Sequence, residues 1–411
     1  MPIPIIVLLI VLIGIATRKL ISNKLSIWMI MCMGGIAVLI TDQITLQSAV
    51  QSINIDVMLF LFGVFVIAQA AESSGYLELL ADRLFTRAKT GKLALLVIIF
   101  IIGPSAALLM NDTSAIVGTL IILQLCKNHR NLSKPLLLAL AYSVTIGSVL
   151  SPIGNPQNLL ISLDSNLASP FLNFFKYLWL PTLINLVITF FMITLFYRQT
   201  LKTTISKIQK PDVVCQGTIR VVKLALIIFI CLIVLKIIFS IINFQVQYFQ
   251  FCLIALLAAS PIILFSKKRF TIIKNIDWGT LLFFVSMFIL IQSVWDCGLL
   301  QKIIKESHIN VANVPTILTI SAILSQFISN VPLVALYLPI LDTVGVHTTQ
   351  YMALAAGSTI AGNLFIIGAA STIIIIQNVE KRNFEAFSFL EFAKIGIPLT
   401  IINLIIYYLF L

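Results

Sequence analysis

The chain has 411 residues, of which 60% are hydrophobic and only 10% charged, where a soluble domain carries roughly 25% charge. Its mean hydropathy of +1.08 means more apolar surface than one or two water-facing cores can hide, which excludes a soluble enzyme, a nucleic-acid binder and a disordered chain. The net charge of +12 fits this polytopic membrane class, because Lys and Arg gather in cytoplasmic loops and fix orientation.

Hydropathy and loop charge predict an all-α polytopic membrane protein with ten full spans, over residues 2–17, 26–41, 54–72, 135–162, 171–197, 221–243, 247–265, 275–294, 351–377 and 388–411. The first segment lacks a basic lead and a small-x-small cleavage site, so it reads as a span and not a signal peptide. Two further apolar stretches, 92–126 and 313–341, are broken near the middle by polar residues and read as re-entrant helical hairpins. Basic residues flank the first hairpin on both sides (Arg83, Arg87, Lys89 and Lys92, then Lys127, Arg130 and Lys134), so it enters from the cytoplasm. Arg18, Lys19 and Lys24, the segment 198–220, the cluster Lys267–Lys274 and the pair Lys381 and Arg382 mark the other cytoplasmic loops. The loop 342–350 has no Lys or Arg, so the second hairpin enters from outside, although Lys302 and Lys305 on its other flank run against that scheme. Both termini then lie outside. The six cysteines are scattered without a CxxC and read as apolar fillers.

The chain repeats itself. Asn54-Ile55-Asp56 returns as Asn275-Ile276-Asp277, the hairpin break at Asn111 returns at Asn330, and residues 145–154 match 359–368 at five of ten positions. The first repeat covers 1–197, the second 221–411, and 198–220 links them. Five spans and one hairpin make an odd number of crossings, so the second repeat is inverted. Inverted repeats with broken helices are the architecture of secondary transporters, whose site lies at the repeat interface near the midplane.

Four interruptions carry the chemistry: Pro104–Ser114, Gly147–Asn158, Ser325–Pro332 and Gly357–Thr372. Irregular backbone at membrane depth is tolerated only in a cavity or inside protein. Asn155 before Pro156, Asn111-Asp112 before Thr113 and Asn330 before Pro332 are helix N-cap signals. Half-helices starting there, with a fourth near Gly368, would aim N–H groups at one volume and attract an anion. Asn155, Gln157, Asn158, Ser371 and Thr372 would complete an uncharged polar lining. Asp112 is either a proton carrier or cation ligand, or a cap bonded to backbone N–H groups. Glu72 and Lys236 are weaker candidates, one able to reach the interface and the other to snorkel. The histidines His129, His308 and His347 all fall in loops, and no HExxH, nucleophile elbow or P-loop lysine is present, so no enzyme and no cofactor is expected.

The motifs Asn111-Asp112-Thr113, Ser151-Pro152-Ile153-Gly154-Asn155-Pro156-Gln157-Asn158, Ser329-Asn330-Val331-Pro332 and Gly362-Asn363 through Gly368 resemble the signatures of the ion transporter superfamily, over the whole chain. That superfamily includes arsenite efflux permeases, citrate and dicarboxylate symporters and sodium/proton antiporters. The Asn-Asp pair and Pro-Ile-Gly-Asn-Pro are most similar to the arsenical-pump branch. The resemblance implies an elevator-type transporter in the cell membrane, a homodimer, with an ATPase subunit as partner if it acts as an arsenical pump. It implies substrate or ion contacts at Asn111, Asp112, Thr113, Ser151, Gly154, Asn155, Pro156, Asn158, Ser329, Asn330, Asn363, Gly368, Ser371 and Thr372. A sodium ion would lie at Asn111, Asp112 and Asn155. Dicarboxylate members carry Ser-Asn-Thr at both hairpin tips, whereas these tips read Asn111-Asp112-Thr113 and Ser329-Asn330-Val331, and Thr372 stands where the family's last motif has Asn. Those departures point away from two matched sodium sites and toward protons carried by Asp112. The expectation is a proton-coupled carrier of a small inorganic or organic anion or oxyanion-like solute, with a sodium-coupled citrate or dicarboxylate symporter as the alternative and a sodium/proton antiporter behind it.

Overall fold

The computed structural model of the chain describes residues 2–21, 26–76, 79–80, 83, 89–127, 129–164, 167, 169–205, 216–242, 250–299, 302, 311–382 and 384–411. Lys24, Arg87, Lys207, Lys210, Lys305 and His308, and residues 206–215 of the expected linker, lie outside the described residues. The principal helices of the first half are α1 (Ile3–Ile21), α2 (Ile27–Ile40), α3 (Ile55–Ser73), α4 (Gly91–Leu109), α5 (Asn111–Leu125), α6 (Ser133–Ser148), α7 (Pro156–Asp164) and α8 (Pro170–Phe196). Those of the second half are α9 (Gln216–Ile241), α10 (Phe251–Phe265), α11 (Trp278–Asp296), α12 (Val314–Ile328), α13 (Asn330–Val344), α14 (Thr348–Ile360), α15 (Ala370–Glu380) and α16 (Phe389–Phe410). Among the described residues the one β-type pairing is an isolated bridge between Thr90 and Thr204.

Among the described residues six segments are long and apolar enough to cross a bilayer: Ile55–Ser73, Gly91–Leu109, Pro170–Phe196, Gly217–Phe239, Trp278–Asp296 and Phe389–Phe410. Shorter apolar helices accompany them, and large side chains such as Leu195, Ile40 and Ile227 face outward. An outside this apolar has lipid for a solvent. The protein is an all-helical, multi-pass membrane protein.

Helix ends follow local chemistry. Asn54 Oδ1 accepts from the Val57 N–H at 3.1 Å to start α3, and Asp277 Oδ1 accepts from the Thr280 N–H at 3.0 Å to start α11. The repeated Asn-Ile-Asp triplet is therefore used in two registers, its Asn capping one helix and its Asp the other. Two expected spans are not continuous helices. Residues 135–162 divide into α6 and α7 around the non-helical Val149–Asn155, and 351–377 divide into α14 and α15 through two short 3-10 turns. Glycine and proline at 152, 154, 156, 362 and 368 deny the chain a uniform helix there.

Both expected hairpins form, α4 against α5 and α12 against α13. The N-caps, however, are one residue earlier than Asn111 and Asn330. Met110 (φ 66°, ψ 152°) and Ser329 (φ 73°, ψ 154°) turn the two tips, and neither helix start has a side-chain cap. This conformation is nearly restricted to glycine and costs on the order of 1–3 kcal/mol. The descending arm α4 also contains a wide π-turn at Ile98–Ile102, with none in α12.

Packing between the halves is reciprocal. Helix α3 packs on α10 while α11 packs on α2; α9 meets α3 while α1 meets α11; α5 lies on α15 while α7 lies on α13; α8 packs on α16. Within each half, α4 and α5 both pack on α6, as α12 and α13 pack on α14. Residues 203–205 bond to the foot of α4, Gly91 N–H donating to Thr203 O at 3.0 Å and Ile205 N–H to Lys89 O at 2.9 Å.

Because Ser329 is only partly buried and bonds through its backbone alone, Ser329→Gly should raise the thermal unfolding midpoint in detergent. Ser329→Val should lower it, the pair differing by at least about 1 kcal/mol. Equal midpoints would show that the tip is not strained.

Candidate functional site

The two helix breaks cross one another. From the first break, Asn155 is fully buried; its Oδ1 caps α7 by accepting from the Asn158 N–H at 2.8 Å, as its Asn-Pro sequence predicts. Its Nδ2 donates to Ser148 Oγ and, across the halves, to Thr359 Oγ1, both at 3.1 Å. Gln157 Nε2 reaches the same Thr359 hydroxyl at 3.3 Å, and that hydroxyl lies 3.4 Å from Asn158 Oδ1. Asn158 Nδ2 donates to the carbonyls of Ser148 and Ser151 at 3.2 and 3.1 Å. The Ser151 Oγ accepts from the Ile153 N–H. Gly154 is forced: a Cβ there would run into the Ser148 carbonyl. The first crossover is thus a closed hydrogen-bonded knot, with Pro156 buried at the start of α7.

The tip of the first hairpin joins this knot, since the Asn111 N–H donates to Gly154 O at 2.9 Å. Asn111 Oδ1 turns back to accept from the Asp112 N–H. Asp112 itself is not satisfied as a cap: its Oδ1 is buried with no hydrogen-bond partner among the described residues. With Thr113 it lines a cavity of about 70 Å³ whose other walls include Gln69 and Glu72 of α3, Asp277 at the head of α11 and Ile374 of α15. Glu72, a minor candidate by sequence, therefore shares the cavity of the major one. The acidic neighbours of Asp112 come from α3 and α11 and not from the matching hairpin tip.

The second crossover contrasts with the first. Asn363 is fully buried and, among the described residues, neither amide atom has a partner; Ser371 Oγ and Thr372 Oγ1, in the first turn of α15, are buried and unpartnered there as well. On α12, which packs on α14 and on the 361–368 segment, Ser321 Oγ, Ser325 Oγ and Gln326 Oε1 are in the same condition, and so is Asn330 Oδ1 at the start of α13. Gln326 Nε2 donates to Ala361 O at 2.7 Å, and Gly368 is close enough that a Cβ would stand 2.8 Å from Gln326 Oε1. Ser329 turns the tip beside them. The breaks also touch directly, Gly362 lying against the Thr145 methyl.

All the residues expected at a site thus belong to the two breaks and the two tips, but in different conditions. Asn155, Gln157 and Asn158 spend their hydrogen bonds on each other and on Thr359. Asp112 with Thr113 faces α3 and α11. Asn330, Asn363, Ser371 and Thr372 keep unpartnered polar atoms. Ser148, Ser325, Gln326 and Thr359 fall within the four interruptions, but the sequence alone assigns them no role. Outside the interruptions, the structure also buries Thr182 and Asn185 of α8 and Thr400 and Asn403 of α16, which repeat at a spacing of 218 positions and follow Pro181 and Pro398. Polar residues in long apolar spans were the available signal. Lys236 holds its ammonium 4.6 Å from the Phe251 ring centroid, a cation–π contact in place of an exposed position. Among the described residues no group of three or more His, Cys, Asp or Glu is arranged to hold a metal.

Comparison with known proteins decides the family. The sequence profile described as citrate transporter (CitMHS) matches residues 7–350. The chain belongs to this citrate transporter family. The ion-transporter resemblance read from its motifs holds, and the protein is a membrane transporter. An uncharacterized transporter of Mycobacterium tuberculosis (strain CDC 1551 / Oshkosh) is 24% identical over 95% of this chain and 94% of its own length. A Dictyostelium discoideum transporter bearing the name arsB is 21% identical over 86% of this chain and 81% of its own. Among solved structures, the YdaH transporter of Alcanivorax borkumensis shares the fold, with a TM-score of 0.52 and 12% identity over 88% of this chain and 86% of that one.

Replacing Asn155 by Leu removes a helix cap and the two buried hydrogen bonds to Ser148 and Thr359, a loss of about 2 kcal/mol or more. The variant should unfold at a clearly lower temperature in detergent, whereas Ser371→Ala, which breaks no bond, should not. A stable Asn155→Leu protein would mean that the knot does not hold the crossover together.

Proposed function

We propose that this protein is a proton-coupled secondary transporter of the cell membrane, carrying a small oxyanion or hydroxylated oxyacid through the second crossover. The observation that carries the proposal is the distribution of charge and of unpartnered polar atoms. Residues 145–158, 321–333 and 357–372 contain no Lys, Arg, Asp or Glu, so the lining consists of amides, hydroxyls and helix N-termini. Such a lining suits a neutral oxyacid or a monoanion, and desolvating a multiply charged carboxylate there without a cationic side chain is costly. The unpartnered atoms of Ser325, Gln326, Asn330, Asn363, Ser371 and Thr372 are groups a solute would pair, since an unmet buried hydrogen bond costs about 1–3 kcal/mol.

Asp112 is the one ionisable side chain in residues 104–118. Its unpartnered oxygen at the seam between hairpin 1 and α3 suits a group that takes up and releases a proton as the hairpin shifts. In the elevator reading, the hairpins and broken helices move as one unit against α3 and α11. The second reading is a sodium-coupled citrate or dicarboxylate symporter, favoured by the family's description.

Reconstituted into proteoliposomes, the protein should accumulate arsenite or a comparable small oxyacid when a pH gradient is imposed, with no response to a sodium gradient. Asp112→Asn should lower gradient-driven flux by at least tenfold while leaving counterflow exchange of the same solute. Citrate uptake driven by sodium alone would overturn the proposal in favour of the symporter, and undiminished proton-driven flux in Asp112→Asn would remove Asp112 from the coupling.

A further inference from the structure

We infer that an anionic phospholipid of the surrounding leaflet binds in the large lateral cavity between hairpin 1 and α9. This cavity of about 490 Å³ is walled by α3, by both arms of hairpin 1 and by α9. It is separate from the crossovers, and its volume is within the range of sites that hold a ligand of moderate size. Its walls are apolar by helical periodicity. Val64, Ile67 and Ala71 form one face of α3, and Lys223, Leu226, Ile227 and Ile230 one face of α9. Ile227 and Ile230 are exposed on the lipid-facing side of α9 and Leu108 on that of α4, so the cavity opens sideways to the bilayer.

The charges sort along its length. Arg83 and Lys223 are the charged residues of the lining, both exposed, and the lining includes no acid. Among the described residues the ion pairs all involve Lys134, so neither cation is in one. Arg83 follows the end of α3 and Lys223 stands near the start of α9. The loop charge of the sequence puts both of these segments on the basic, cytoplasmic side, which is the headgroup side of this cavity. The deep end holds Leu108, Leu109 and the hydroxyls of Ser105 and Thr113, beside the hairpin tip. An apolar slot open to lipid, with two cations that are in no ion pair among the described residues, complements an acyl chain bearing a phosphate. A route for a hydrated anion would need a polar wall throughout. Basic side chains beside an anionic leaflet attract its headgroups. The chain of such a lipid would lie between hairpin 1 and α3, so its occupancy would brace that seam.

The test is native mass spectrometry of the intact protein released from nanodiscs of phosphatidylcholine and phosphatidylglycerol in a 3:1 ratio. The wild type should retain one phosphatidylglycerol and no phosphatidylcholine. Arg83→Gln with Lys223→Gln should weaken retention by about fivefold per charge removed, while Lys202→Gln, outside the cavity, should not change it. Ala71→Phe, filling the slot, should abolish retention; Ile227→Trp, at the exposed mouth, does the same without burdening the core should Ala71→Phe fail to fold. Equal retention of the two lipids, retention of a free fatty acid instead, unchanged retention in the double Gln variant, or retention in Ile227→Trp would each overturn the assignment.

Discussion

A helix can be interrupted inside a bilayer only if something other than water takes over its released hydrogen bonds. The structure depends on how that constraint is met at two places. At the first break, Asn155, Gln157 and Asn158 converge on one hydroxyl, Thr359, which belongs to the other half. The first break is therefore tied to its counterpart as well as to itself. Hairpin 1 is drawn into the same knot through Gly154, so this first irregular stretch is densely hydrogen-bonded.

The second break meets the constraint incompletely. Ser371 and Thr372 are as buried as Gln157 and Asn158, their counterparts, yet among the described residues their hydroxyls find no partner. Aligned by the repeat, Thr372 corresponds to Asn158 and Ala369 to Asn155: the second copy replaced long amides with short side chains. Shorter groups cannot span to the opposite backbone, and what they leave is room lined with donors and acceptors. Divergence between two similar halves thus separated a structural crossover from one with chemistry to spare.

Much of this was legible in the sequence because the signals were local. Asn-Pro at 155–156 announced a helix start, and polar breaks in apolar stretches announced both hairpins. The repeat was visible because Thr145-Ile146 and Thr359-Ile360 survived in both copies. Where reading failed, the deciding forces were not local. Met110 and Ser329 turn the tips in a conformation their side chains disfavour, so propensity assigned the caps to the asparagines that follow. Asn-Ile-Asp recurs with a two-residue slip that only the capping bonds disclose. The company of Asp112 was hidden for the same reason: Glu72 and Asp277 reach its cavity from helices far away in the chain.

The wide turn at Ile98–Ile102 has a consequence for the hairpins as a pair. One surplus residue is carried within α4 without breaking it, whereas α12 runs regularly to its tip. Above the bulge, the side chains of Gly91–Val97 are rotated about a third of a revolution from the bearing an unbroken α-helix would give them. The two arms are then no longer interchangeable parts. A regular rod stands on one side of the molecule and a bulged one on the other, and the bulge lies about two turns from the tip that carries Asp112.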